Sequence, residues 1–557
     1  MKRTHMNTFE RPLRHLVPAV LTGIAICASA GPETTSIDET TYRAHIARLA
    51  SDEFGGRKPG TEAEKLTLDY LEAQFRGLGL KPGNGTSFRQ EVPMVEITAA
   101  SDAALRITTG ANSADLKFRD DMVIWTKRVK TAESMEASPM VFVGYGVTAP
   151  EYDWDDYAGV DMRGKTAVIL VNDPGFVTQD DSLFRGRAMT YYGRWTYKFE
   201  EAARRGATGA IIVHQPEPAS YGWDTVVNSW STPQLDHATA DGNAGRVAIE
   251  GWITEPVAQN LFAANGITLA DAVKRANTRG FRAEPLKSTV SASVRNAIRR
   301  TTSHNLAALL PGTTRPDEYL VYMAHWDHLG RLPGCSGDCV FNGAVDNATG
   351  TAGLVTIAKA FAGARKKPAR SILFLAVTLE ESGLLGSAYY VDNPLFPLAQ
   401  TVAAFNMDAM HFGGPTRDVT VVNIGASELE NYLADAARAQ GRVIRAEPTP
   451  EKGTFFRSDH FNFAKRGVPA LYIKGGIDDR ERGPVWRQKY LDDFTAQKYH
   501  KAGDEYSPEA DLRAGVEDMA LLYAVGAKLA SEKSFPNWNP DSEFRAARDR
   551  NRAASAK

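Results

Sequence analysis

The sequence predicts an α/β fold, a mostly parallel central sheet flanked by helices, with a small β-rich domain inserted into it. Three observations predict it. After Asn305, apolar strand-length runs alternate with amphipathic helix-length runs, the pattern of a parallel sheet with helical crossovers. From about Ala137 to about Pro285 the texture changes to short β-rich runs separated by turn residues. Ahead of that stretch, two runs with helical spacing open the chain.

Residues 1–30 read as a cleaved export signal. Lys2, Arg3, Arg11 and Arg14 flank an apolar run over 16–30 that is short for a bilayer span and ends in Ala28-Ser29-Ala30. The mature chain is then expected to start near Gly31, exported to a periplasm or to the medium. Residues 41–50 and 61–78 repeat apolar side chains at helical spacing, Leu68, Leu71, Phe75 and Leu78 among them, before Gly79 and Pro82 end the second run. They belong to a first part of the main domain, 31–130. In the β-rich module, assigned to 131–288, strands are expected over 140–145, 166–171 and 210–213, with a helix over 197–205 that stops at Gly206. The main domain resumes over 289–535, with strands at 319–323, 371–377, 401–405 and 470–473 and helices at 349–362, 427–440 and 516–529. The Ala- and Arg-rich stretch 536–557 is expected to be a mobile tail.

With 557 residues, 43% hydrophobic and 24% charged, the chain has the composition of an ordinary soluble multidomain protein. A net charge of −2 gives no electrostatic reason to expect nucleic acid or an anionic membrane as partner. No apolar stretch beyond the signal reaches spanning length, so stable membrane insertion is not expected. Oligomeric state is not legible. Of the three cysteines, Cys27 lies in the signal; Cys335 and Cys339 form an even pair in an exported chain and are expected to make a local disulfide.

Ligands of open α/β sheets gather at the carboxyl ends of strands, and the residues there are metal-ligand types. The first main-domain strand runs into Ala324-His325-Trp326-Asp327-His328, the next into Thr378-Leu379-Glu380-Glu381, the third into Asn406-Met407-Asp408. Asp346 stands between the first and second, just ahead of a helix. His, Asp and Glu with almost no Cys suit a hydrolytic site that holds one or two zinc ions and keeps open positions for water. Asp346 is the bridging candidate. Glu380 and Glu381, adjacent on a strand end, point apart, which separates a metal ligand from a free general base. Each fragment alone has a plainer reading, as a structural histidine, a helix cap or a dipole partner; their joint placement on successive strands favours the site.

The same residues resemble a family. His325-x-Asp327-His-Leu-Gly330, Ala344-Val-Asp346-Asn-Ala-Thr-Gly350, Glu380-Glu-Ser-Gly-Leu-Leu-Gly386, Asn406-Met-Asp408, Ser458-Asp-His460 and Tyr499-His500-x-x-x-Asp504 are similar to the motif series of the co-catalytic zinc aminopeptidases related to aminopeptidase Y, the bacterial leucyl aminopeptidases and the glutamate carboxypeptidases. Val141-Phe-Val-Gly-Tyr-Gly-Val147, Gly164-Lys-Thr-Ala-Val-Ile-Leu170 and the run from Ala202 to Ile212 resemble the protease-associated domain inserted in many secreted peptidases. The resemblance implies a zinc-exopeptidase fold and removal of amino-terminal residues from peptide substrates by a water activated between two zinc ions. It further implies that His325 and Asp408 hold one ion, Glu381 and His500 the other, with Asp346 shared and Glu380 as base. Asp327 would then orient His325 through its other ring nitrogen. His460 is the alternative fifth ligand that the residues alone leave open; the family pattern moves it, with Asp459, Arg457 and Tyr472, into the substrate pocket or behind the ligands. Tyr472 or Tyr499 is the candidate donor to the tetrahedral oxygen, His328 and His411 are hydrogen-bonded neighbours, and His214 is structural. The alternatives are a glutamate-carboxypeptidase-like exopeptidase, with Arg457 recognising a carboxylate, and a noncatalytic receptor on the same fold.

Overall fold

The computed structural model describes residues 37–237, 239–331 and 334–555; the expected export signal, Cys27 included, lies outside them. Four strands form the parallel heart of the main sheet, in the order Arg370–Val377, Arg315–His325, Thr401–Asn406, Ala470–Lys474. Both faces of this sheet are buried, which is why these strands are continuously apolar rather than alternating. Leu320, Tyr322 and Ala324 pack into one core with helices Glu39–Leu49, Glu62–Gly77, Thr349–Gly363 and Arg513–Ser531. Val321 and Met323 face the opposite core, with helices Leu385–Asp392 and His460–Lys465. Strand period two thus assigns each side chain its layer.

A second sheet with its own cores is built from Ala104–Thr109, Asn112–Leu116, Met122–Trp125, Ala132–Phe142, Thr166–Leu170, Gly209–His214 and Ile249–Thr254. It draws on strands upstream of residue 131, where the module was expected to begin, because Met122–Trp125 completes the sheet by pairing with Ile249–Thr254. The strand Glu284–Leu310 joins the two sheets. Its first half pairs with Ala132–Phe142, its second with Arg89–Ala99 and Arg370–Val377.

The tail expected to be mobile packs instead. Trp538 and Phe544 are buried, helix Arg545–Ser555 follows, and buried Arg548 donates to the Thr401 carbonyl. Its Ala and Arg content concealed two aromatic anchors and the aliphatic stem of an arginine. No helix among the described residues is long and apolar enough to cross a membrane.

Candidate metal centre

Register brings the strand ends to one level. His325 is opposite Val377, Met323 opposite Asn406, and Asn406 opposite Tyr472, so the segments that follow begin side by side. Asp346 comes from the turn Ala344–Ala348, entered through Gly343 at φ 55°, a conformation glycine adopts without penalty. That turn is held from outside: Asp504 accepts the Val345 amide at 3.0 Å and the Asp346 amide at 3.0 Å. Behind it, Asn347 donates to the Met407 carbonyl and accepts the Gly350 amide, tying the turn to the Asp408 strand end.

The two oxygens of Asp346 face different partners. Oδ1 lies 3.3 Å from His325 Nε2, which is also 3.5 Å from Asp408 Oδ1. Oδ2 lies 3.3 Å from His500 Nε2, itself 3.0 Å from Glu381 Oε2. His325, Asp346 and Glu381 form one group with ligand atoms within 4.8 Å of one another, and His325, Glu380 and Asp408 form another. Glu380 therefore reaches the same centre; its amide donates to Asp327 Oδ1 at 3.2 Å.

The charge balance is what a cation site requires. Burial opposes a charge on His325, yet Glu380, Asp346 and Asp408 around it hold the imidazole well above its ordinary range. Burial, with Asp408 and Glu381 nearby, keeps Glu380 well above the carboxylate range. Burial also works to raise Glu381, but His500 and His328 bring it down to about 2. Among the described residues, the ion-pair contacts of Asp346, Asp408 and Glu381 are to histidines. His325 Nε2 is buried without a hydrogen-bond partner. Buried carboxylates converging on an orphaned imidazole nitrogen are costly without a cation, and nitrogen and oxygen donors without sulfur fit zinc.

The remaining expected residues fall around this centre. The partner of His325 Nδ1 is the Asp327 backbone carbonyl at 3.2 Å, with the Asp327 carboxylate 3.8 Å away; the sequence expectation had assigned that contact to the carboxylate. Burial pushes the Asp327 carboxyl up to about 7. His328 Nδ1 is 2.5 Å from Glu381 Oε1. Of the two histidines left open, His500 faces Asp346 and Glu381, whereas His460 packs edge-on to Phe455 and beside Tyr472, its Nδ1 3.4 Å from Asn406, and burial lowers it to about 3. Tyr472 donates to Asp408 Oδ2 at 3.3 Å, and Tyr499 stacks on the His500 ring at 4.0 Å. Asp459 is buried and accepts Ser387 Oγ at 2.6 Å. Arg457 is exposed and near enough to Arg194 to lower it, after burial, to about 10. His411 lies edge-on to Phe494. His214 bonds the Tyr221 carbonyl away from the centre. Cys335 and Cys339 are bonded to each other.

Residue reasoning assigned no role to four contributors. Asp504, quoted only as part of a motif, acts through backbone amides. Ser458 Oγ donates to Asp408 Oδ2 at 2.6 Å, and Lys474 Nζ donates to the Asp408 carbonyl at 3.0 Å. Arg57, fully buried, donates to the carbonyls of Leu49, Trp326, Asn342 and Gly343, fastening the end of the first helix to the segments around His325 and Asp346. An arginine directly after two glycines was the available signal in the sequence for the last.

Residues 305–523 match the profile of Peptidase family M28. Aminopeptidase NAALADL1 of Mus musculus is 34% identical over 137 residues, 24% of this chain and 17% of that protein. Leucine aminopeptidase 2 of Arthroderma otae is 29% identical over 266 residues, 45% of this chain and 50% of that protein. In both cases the chain spans less than two thirds of the relative's length. Among solved structures, the aminopeptidase from Aneurinibacillus sp. strain AM-1 is 20% identical, with a TM-score of 0.49, over 91% of this chain and 98% of that one. The family resemblance read from the motifs is borne out for the stretch holding His325 to His500, which the match encloses.

Proposed function

We propose that this chain, whose residues 305–523 belong to peptidase family M28, is a zinc-dependent aminopeptidase that binds two ions about Asp346. The observation that carries the reading is the division of the Asp346 oxygens, one toward His325 and Asp408, the other toward His500 and Glu381. His325, Asp408, His500, Glu381 and Asp346 would hold the ions. Zinc bound there supplies Lewis-acid polarisation of a carbonyl and of water. Glu380, adjacent in sequence to the ligand Glu381 and held by its own amide on Asp327, takes a proton from the attacking water and returns it to the leaving amine. Tyr472, with its hydroxyl at Asp408, is the candidate donor to the developing oxyanion.

The test is turnover of aminoacyl p-nitroanilides by the full chain. A chelator should abolish it and added zinc restore it; no turnover with zinc restored would favour the noncatalytic reading. A second reading, cleavage of peptides recognised by their carboxyl end, is favoured by Arg194 and Arg457. Arg194 Nε is buried without a hydrogen-bond partner, and Arg457 is its neighbour. A preference for free over amidated carboxyl termini, lost in Arg194→Met, distinguishes that reading.

A further inference from the structure

The segment that carries Glu380 is a strained turn. Leu379 at φ 58° and Leu384 at φ 62° both adopt the left-handed conformation that non-glycine residues avoid. Such a turn persists only when its surroundings over-determine it. On its inner side the Thr378 amide donates to Asn305 Oδ1, Asn305 Nδ2 donates to the Gly386 carbonyl, and Glu380 N reaches Asp327.

Its outer side is covered by the inserted region. Strand Gln234–His237 returns to pair with the edge strand Arg89–Ala99, His237 opposite Met94. Leu235 packs on a small core made by Val92, Met94, Leu379 and Leu385, so the first left-handed leucine of the turn and the residue after the second lie in it. His237 Nε2 lies 2.7 Å from the Leu385 carbonyl, and its ring meets Tyr389 edge-on at 5.7 Å. A carbonyl only accepts, so Nε2 carries the hydrogen. The backbone of His237 is itself fixed, its carbonyl accepting Asn243 Nδ2 at 3.2 Å.

We propose that His237 is a positioning residue, through which the returning strand of the inserted region braces the turn that presents Glu380. This rests on the aminopeptidase reading for its kinetic consequence and on the contacts alone for its mechanical one. A general base displaced by about 1 Å loses about 100-fold in rate, so a brace acts on kcat rather than on substrate affinity.

The experiment compares wild type, His237→Ala and His237→Gln as full-length chains. It reads kcat and KM on an aminoacyl p-nitroanilide, zinc content, and amide hydrogen exchange over residues 378–386 in metal-free protein. His237→Ala should lower kcat by about 10- to 100-fold with KM and zinc content unchanged and exchange over the turn accelerated. His237→Gln, whose amide can donate to the same carbonyl, should recover most of both. Should His237→Ala fail to fold, His237→Phe, which keeps the ring contact and removes the donor, takes its place. Unchanged kcat and exchange, or a kcat loss that tracks zinc loss, would overturn the proposal. An inactive wild type sinks the aminopeptidase reading, and the exchange data still decide the brace.

Discussion

In the proposed site Asp346 and Glu380 have separate roles, and their neighbours differ accordingly. Asp346 keeps both oxygens turned toward imidazoles on opposite sides; Glu380 is partly buried, and desolvation with Asp408 and Glu381 nearby makes it resist ionisation, the condition that a cation would relieve. Glu380→Gln keeps the shape and removes the proton acceptor. Its kcat should fall by about 10²- to 10⁴-fold while zinc content stays at the wild-type level, read by steady-state kinetics beside elemental analysis. At this scale much was legible in the sequence, because His325, Glu380, Glu381 and Asp408 each follow an apolar strand and strand ends share a level. His500 was not, since it follows a helix, Gly483–Gln497, and enters from a loop at φ 56°; only the motif resemblance named it. Asp504 and Lys474 escaped because each acts on backbone atoms, which no side-chain pattern records.

Turns and helices hold these residues through contacts that fail in predictable ways. Asp504→Ala strands the Val345 and Asp346 amides, at a cost of about 1–3 kcal/mol for each buried donor. Weakened zinc binding in a competition titration and a lowered melting temperature should follow, with Asp504→Asn affected less. Helix Glu39–Leu49 carries His45, buried against the Tyr70 hydroxyl and lowered to about 4 by burial and by Lys359. Between pH about 6.5 and about 4 the unfolded chain takes up a proton that the folded one refuses, so stability falls as pH falls through that window, by about 3 kcal/mol in full. Melting temperatures over this range should drop less steeply in His45→Gln, and parallel curves would contradict the assignment. Apolar periodicity made the helix and the parallel strands readable. It did not reveal Glu284–Leu310 as one strand, because its first half alternates polar and apolar residues on a half-exposed sheet while its second enters a buried one. The role of the final segment hung on Trp538 and Phe544, two side chains in a stretch whose composition suggests solvent.

At the largest scale, the inserted region and the main sheet are fastened together. Arg187 pairs with Glu451, Lys465 with Glu200, the Met189 amide with the Pro450 carbonyl, and His237 with Leu385. Because the proposed ligands come from segments as distant as His325 and His500, ion binding would favour the folded state over the unfolded one. The proposed centre is a pair of cations held about one aspartate, and the most direct measurement is the zinc content per chain of purified wild type and Asp346→Ala after dialysis against trace zinc. Two ions per wild-type chain and the loss of both in the variant are expected. Fewer than two in wild type, or a variant that keeps its full complement, would contradict the proposed centre.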